Sequence, residues 1–138
     1  MSKQRSFLLC DVFANRIGTG NGLAVVFDGA DLSTKQMQGF AAYINQSETT
    51  FVLPVTTPEA SYRIRIFTPV SELPFAGHPS VGSAHAVLES ELAQAVNGEL
   101  VQECRRDHHT GDEIDDEVEN VAVDLRHAFL DVVGPGHR

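Results

Sequence analysis

Glu48 sits in a polar island, Asn45-Gln46-Ser47-Glu48-Thr49, flanked on both sides by apolar sequence. A carboxylate at the mouth of a strand, with a hydroxyl on each side, suits a general acid/base. Partial burial raises its pKa toward neutrality, where it can both take and return a proton. The same residues also read as a link after a helix, with Glu48 in water. A second island runs Pro74-Phe75-Ala76-Gly77-His78-Pro79-Ser80-Val81-Gly82-Ser83. Here a Gly-His-Pro turn feeds a helix whose first residues are small. Backbone N–H groups at such a helix start lie open to an anion, for example a substrate carboxylate. His78 could bond that carboxylate or pass a proton; the plainer alternative is a capping turn with a satisfied histidine.

Other combinations are weaker. Ser47, Glu48 and His78 contain the residue types of a hydrolase triad, but no Gly-x-Ser-x-Gly elbow accompanies them. The loop Gly18-Thr19-Gly20-Asn21-Gly22 lacks the lysine of a phosphate loop and leads into a strand, so it reads as a turn in which Asn21 could point toward a site. His108-His109 near Asp112 and Glu113 match no zinc spacing, and no metal is expected. Cys10 and Cys104 read as free, partly buried thiols rather than a disulfide or a two-cysteine acid/base pair.

The elements that must position these groups follow from periodicity. Phe7 to Phe13 and Leu23 to Phe27 are strand-like, and Asp28-Gly29 marks a turn. Asp31 and Ser33 offer caps for a helix from Thr34 to Ile44, with Met37, Phe40, Ala41 and Ile44 on one face. Thr50 to Leu53 is a strand closed by Pro54. Tyr62 to Phe67 alternates, which predicts a half-buried strand with Tyr62, Ile64 and Ile66 inward. Thr68 to Phe75 reads as a loop, about Pro79 to Glu89 as a helix, and Leu100 to Gln102 as a last short strand.

With 138 residues the chain suffices for one domain. A net charge of −9 opposes a nucleic-acid or anionic-membrane partner. No apolar run approaches the roughly 20 residues of a membrane helix, and the short run Phe7–Leu9 is no signal-peptide core, so a cytoplasmic location is expected. After Cys104 the character shifts. Residues 105–138 carry nine of the 19 acidic residues, which predicts a solvated or disordered tail rather than a packed one, with Val118 to Leu130 a marginal helix or strand.

Taken together, the order Phe13, Gly20-Asn21, Gln46-Ser47-Glu48-Thr49-Thr50-Phe51-Val52, Ile64-Arg65-Ile66-Phe67-Thr68-Pro69, Glu72-Leu73-Pro74-Phe75-Ala76-Gly77-His78-Pro79 and Gly82 resembles the phenazine-biosynthesis PhzF-like family, from about Phe7 to Cys104. The resemblance implies an α+β, diaminopimelate-epimerase-like fold, in which a curved, mostly antiparallel sheet wraps a central helix. Two such domains enclose the active site in that family. It also implies a cofactor-free isomerase, often a homodimer, that shifts a proton on a small carboxylate-bearing substrate; the best understood member acts on a dihydro-hydroxyanthranilate. By this resemblance Glu48 is the catalytic acid/base. Ser47, Gly77 and His78 are substrate-site residues, and Gly82 and Ser83 are the helix start that receives a carboxylate. Neither cysteine matches the epimerase branch, which favours carboxylate chemistry.

Two departures shape the expectation. Family members are roughly twice as long, and Gly22 stands where a proline is common. The abrupt loss of pattern after Cys104 looks like a frameshift, truncation or alternative splice ending. The sequence thus divides into residues 1–104, a PhzF-like N-terminal domain, and a divergent acidic tail, 105–138. The alternative to an isomerase is a non-catalytic fragment acting as an interaction or regulatory module.

Overall fold

The computed structural model describes residues 3–105, 118–124 and 130–132. Ten elements follow one another in these residues. Strands β1 (Phe7–Val12) and β2 (Asn21–Val26) precede helix α1 (Thr34–Ile44), and β3 (Glu48–Leu53), β4 (Tyr62–Phe67) and the short β5 (Glu72–Leu73) follow it. Helix α2 (Gly77–Glu89) leads to β6 (Glu99–Arg105), β7 (Val118–Asp124) and β8 (Leu130–Val132). They form one sheet in the order β7-β6-β4-β3-β2-β1-β8, with β5 paired to β4. The β2–β3 and β4–β6 pairs are parallel and the others antiparallel. The domain is therefore α+β with a mostly antiparallel sheet, as the family resemblance implies.

Each parallel pair is joined by a helical crossover. Helix α1 links β2 to β3 and α2 lies between β4 and β6. Alternation along the strands sends residues to opposite faces. Val26, Phe51 and Phe67 pack with Met37 and Ala41 of α1 on one face. On the other, Val12, Leu23, Val25, Val52, Ile64 and Ile66 pack with Ala84, Ala86 and Val87 of α2. Helix α2 touches β1, β2, β3, β6 and β7, so the sheet curves around it. Its buried face is mostly Ser, Gly and Ala, with Pro79 and Val87, which lets the backbone approach closely.

Helix α1 keeps its predicted bounds because Ser33 and Gln36 form a reciprocal capping box. Tyr62, Ile64 and Ile66 are buried as their alternation requires. Other edges move. Strand β3 starts at Glu48, not Thr50, because Leu23↔Glu48 opens the parallel register with β2. Helix α2 starts at Gly77, two residues before Pro79. Ala76 is extended (φ −153°, ψ 140°) and serves as N-cap, and proline is tolerated in a first turn whose N–H groups lack helical partners. Strand β6 runs to Arg105 and pairs with β7 over seven residue pairs, from Glu99↔Asp124 to Arg105↔Val118. His108-His109 and the acidic run 112–117 lie outside the described residues.

Candidate active site

Glu48 is the first residue of β3, and Thr50, two residues on, faces α2 and meets Ser83. Glu48 therefore projects from the same face, toward the first turn of α2. There it meets His78: Nδ1 lies 2.7 Å from Glu48 Oε2, with side chains 15% and 18% exposed. The contact has ion-pair distance without hydrogen-bond direction, since Oε2 is buried and accepts no hydrogen bond among the described residues.

The other ring nitrogen of His78 decides where a proton can be. Nε2 lies 3.2 Å from the carbonyl oxygen of Asn21, which can only accept, so Nε2 carries a hydrogen. Nδ1, on the other side of the ring, faces Glu48 Oε2. Both nitrogens are thus engaged. Ser47 lies exposed in the bend before β3, which leaves a serine-type triad without a base for its hydroxyl.

The ring of Phe13 lies beside His78, centroids 6.4 Å apart. Phe13 follows β1 in the left-handed region (φ 59°), a conformation that costs a side-chain-bearing residue about 1–2 kcal/mol. That cost puts an aromatic ring, 53% exposed, at the mouth of the site. Across from it, α2 begins without a side-chain cap. The N–H groups of Gly77 and His78 have no partner within the helix, and a Cβ on Gly77 would meet nothing within 4 Å. This is the open, positively polarised end that an anion fits.

Gly82 and Ser83, expected to receive the carboxylate, lie more than a turn further along. A Cβ on Gly82 would stand 2.4 Å from Leu23 Cδ2 and 2.9 Å from Val12 Cγ2, so this glycine lets helix and sheet approach. Ser83 is wholly buried, its Oγ 2.8 Å from Thr50 Oγ1. The open N–H groups are those of Gly77 and His78.

One contributor escaped sequence reasoning. The buried Asp11 carboxylate accepts from the Gly18 N–H (2.6 Å) and the Gly20 N–H (2.8 Å) and so shapes the loop that delivers Asn21 to His78. Its only signal was an acid inside an apolar strand, Phe7 to Phe13. Cys10 and Cys104 are free and buried, on β1 and β6, with β2, β3 and β4 between their strands. They form no acid/base pair. Among the described residues no three metal-ligating side chains cluster, and no helix is long and apolar enough to cross a membrane.

Comparison with known proteins gives this geometry a context. Residues 10–128 match the model of a family described as phenazine biosynthesis-like protein, which reaches past Cys104 into β7. The chain is 50% identical over 101 residues to antisense-enhancing sequence 1 of Schizosaccharomyces pombe, covering 73% of this chain and 34% of that protein. It is 51% identical over 81 residues to trans-2,3-dihydro-3-hydroxyanthranilate isomerase of Pseudomonas aeruginosa, covering 59% and 29%. A crystal structure of a Bacillus anthracis phenazine biosynthesis protein of the PhzF family superposes with a TM-score of 0.64 at 31% identity, covering 74% of this chain and 33% of that one. The chain spans about a third of the length of the curated relatives it matches.

Proposed function

The chain belongs to the phenazine biosynthesis-like family, and on that premise we propose that it provides the Glu48 side of an isomerase site that shifts a proton on a small carboxylate-bearing substrate. The observation that carries this reading is the 2.7 Å approach of His78 Nδ1 to a Glu48 oxygen that is otherwise unpartnered and buried. Glu48 takes a proton from an activated carbon of the substrate. The electron pair left behind moves into the substrate's own unsaturated system, and Glu48 returns the proton at another carbon. No electrons leave the substrate, so the step calls for no redox cofactor. The N–H groups of Gly77 and His78 hold the substrate carboxylate. Ser47 flanks the site, and Gly82 and Ser83 serve it by seating α2 on the sheet.

Excluding water from above Glu48 would strengthen these interactions. The exposed Phe13 ring marks where a second surface, from further chain or from a second copy in a homodimer, would close the site. The same exposed ring favours a second reading, in which the chain is a non-catalytic interaction module.

Solvent deuterium exchange tests the first reading. With trans-2,3-dihydro-3-hydroxyanthranilate, the compound named for the Pseudomonas relative, in heavy water, product deuteration is expected to fall about 10²–10⁴-fold in Glu48→Gln. Unchanged exchange in that variant would overturn the assignment. Turnover by the chain alone above about 1 per second would remove the interaction-module reading.

A further inference from the structure

Ala76 starts α2 with no side-chain cap, yet its carbonyl is held from inside the protein. The Ser80 hydroxyl donates to the Ala76 carbonyl at 2.7 Å. Ser80 Oγ in turn accepts from Gln102 Nε2 at 2.9 Å, and Gln102 Oε1 accepts from the Tyr62 hydroxyl at 2.8 Å. Gln102 is wholly buried, and Tyr62 and Ser80 are each 3% exposed. Every donor points the same way, from β4 through β6 into the first turn of α2.

Such a chain is self-consistent. Burial pushes the Tyr62 pKa far up, so the phenol stays a donor. Because the phenol occupies the amide oxygen, the amide nitrogen must face Ser80. Aligned hydrogen bonds in a low-dielectric interior polarise and reinforce one another.

The rest of the helix does not need this tether. Ala84, Ala86 and Val87 pack it against the sheet two turns further on. In the first turn, ahead of the buried Pro79 and Ser80, Gly77 is exposed and has no side chain and Ala76 is only half-buried. That turn carries His78. We propose that Gln102 is a positioning residue, which acts through Ser80 and the Ala76 carbonyl to orient the turn that brings His78 to Glu48. Gln102 itself touches neither His78 nor the substrate. The assignment rests on the reading of His78 as a site residue, and its test does not depend on turnover.

The test is the ring-nitrogen NMR spectrum of His78 in the full-length chain, assigned by its loss in His78→Gln. In the native chain the ring is expected to keep its hydrogen on Nε2, toward Asn21. In Gln102→Leu and Ser80→Ala both ring nitrogens are expected to shift toward the averaged positions of an imidazole exchanging between tautomers. Val87→Ala, a cavity in the same helix, is expected to lower the melting temperature and leave the His78 signals in place. If Gln102→Leu does not fold, the smaller change Ser80→Ala decides. Unmoved His78 signals in folded Ser80→Ala, or an equal shift in Val87→Ala, would overturn the proposal. A shifted ring in a chain that isomerises nothing would uphold the positioning role and count only against catalysis.

Discussion

Thr50 of β3 and Ser83 of α2 join sheet to helix through hydroxyl oxygens 2.8 Å apart, with both residues shut off from solvent. A buried hydroxyl that loses its partner costs about 1–3 kcal/mol. Ser83→Ala and Thr50→Val are each expected to lower the unfolding free energy by roughly that amount. The double variant should lose less than the sum, because no polar group is left alone. Urea unfolding of the four proteins closes the cycle, and strict additivity would mean that the two hydroxyls do not interact.

Gly20 and Gly82 should respond differently to alanine. At Gly82 the new methyl meets the ends of two side chains, Leu23 and Val12, in a filled core. Overpacking of this kind costs about 1–3 kcal/mol. At Gly20 the methyl would lie 2.3 Å from the Val12 carbonyl oxygen and 2.5 Å from Asp11 Oδ1, neither of which can swing away without breaking the clamp on Gly18 and Gly20. Gly20→Ala is therefore expected to be the more destabilising of the two in thermal melts. A melting temperature above that of Gly82→Ala would count against the clamp.

Thiol reactivity should be silent until the chain opens. Burial, with a smaller push from Glu89, takes Cys10 up to about 12. Burial, then Glu119, takes Cys104 up to about 11. The thiolate is the reacting form, so an aromatic disulfide reagent at mildly alkaline pH is expected to label neither cysteine in the folded chain and both in guanidinium. Rapid labelling of one thiol before unfolding would show a local opening at its strand.

His85 should make stability fall on mild acidification. Burial lowers its pKa from the ordinary 6.5, with Glu89 pulling the other way. Its Nε2 has no partner among the described residues. The unfolded chain then binds the proton more readily than the folded one. The contribution is full above the unfolded value and is lost as the pH drops through the folded one. His85→Gln is expected to flatten the decline in urea midpoint between about pH 7.5 and pH 5.5. Parallel curves for the two proteins would rule this group out.

Local signals in the sequence were read well. The Ser33–Gln36 box and the Met37/Ala41 face delimit α1, and alternation assigns β4 its buried residues. The two polar islands do meet, through Glu48 and His78. Features that depend on distant partners could not be read this way. Gly82 looked like a helix start because only Leu23 and Val12, on other strands, reveal it as a contact. Asp11 and Gln102 looked ordinary because their partners, a turn seven to nine residues on and a hydroxyl 22 residues back, carry no periodic signature.

The outer edge of β1 is covered by β8 through Cys10↔Val132, Asp11↔Asp131 and Val12↔Leu130. A ribosome delivers β1 first and β8 among the last strands. During synthesis that edge therefore stays open, free N–H and C=O groups and all, while the rest of the sheet is assembled. The nascent chain is most vulnerable to wrong pairing at the strand it made earliest, which makes β1 the place where a chaperone would be of most use.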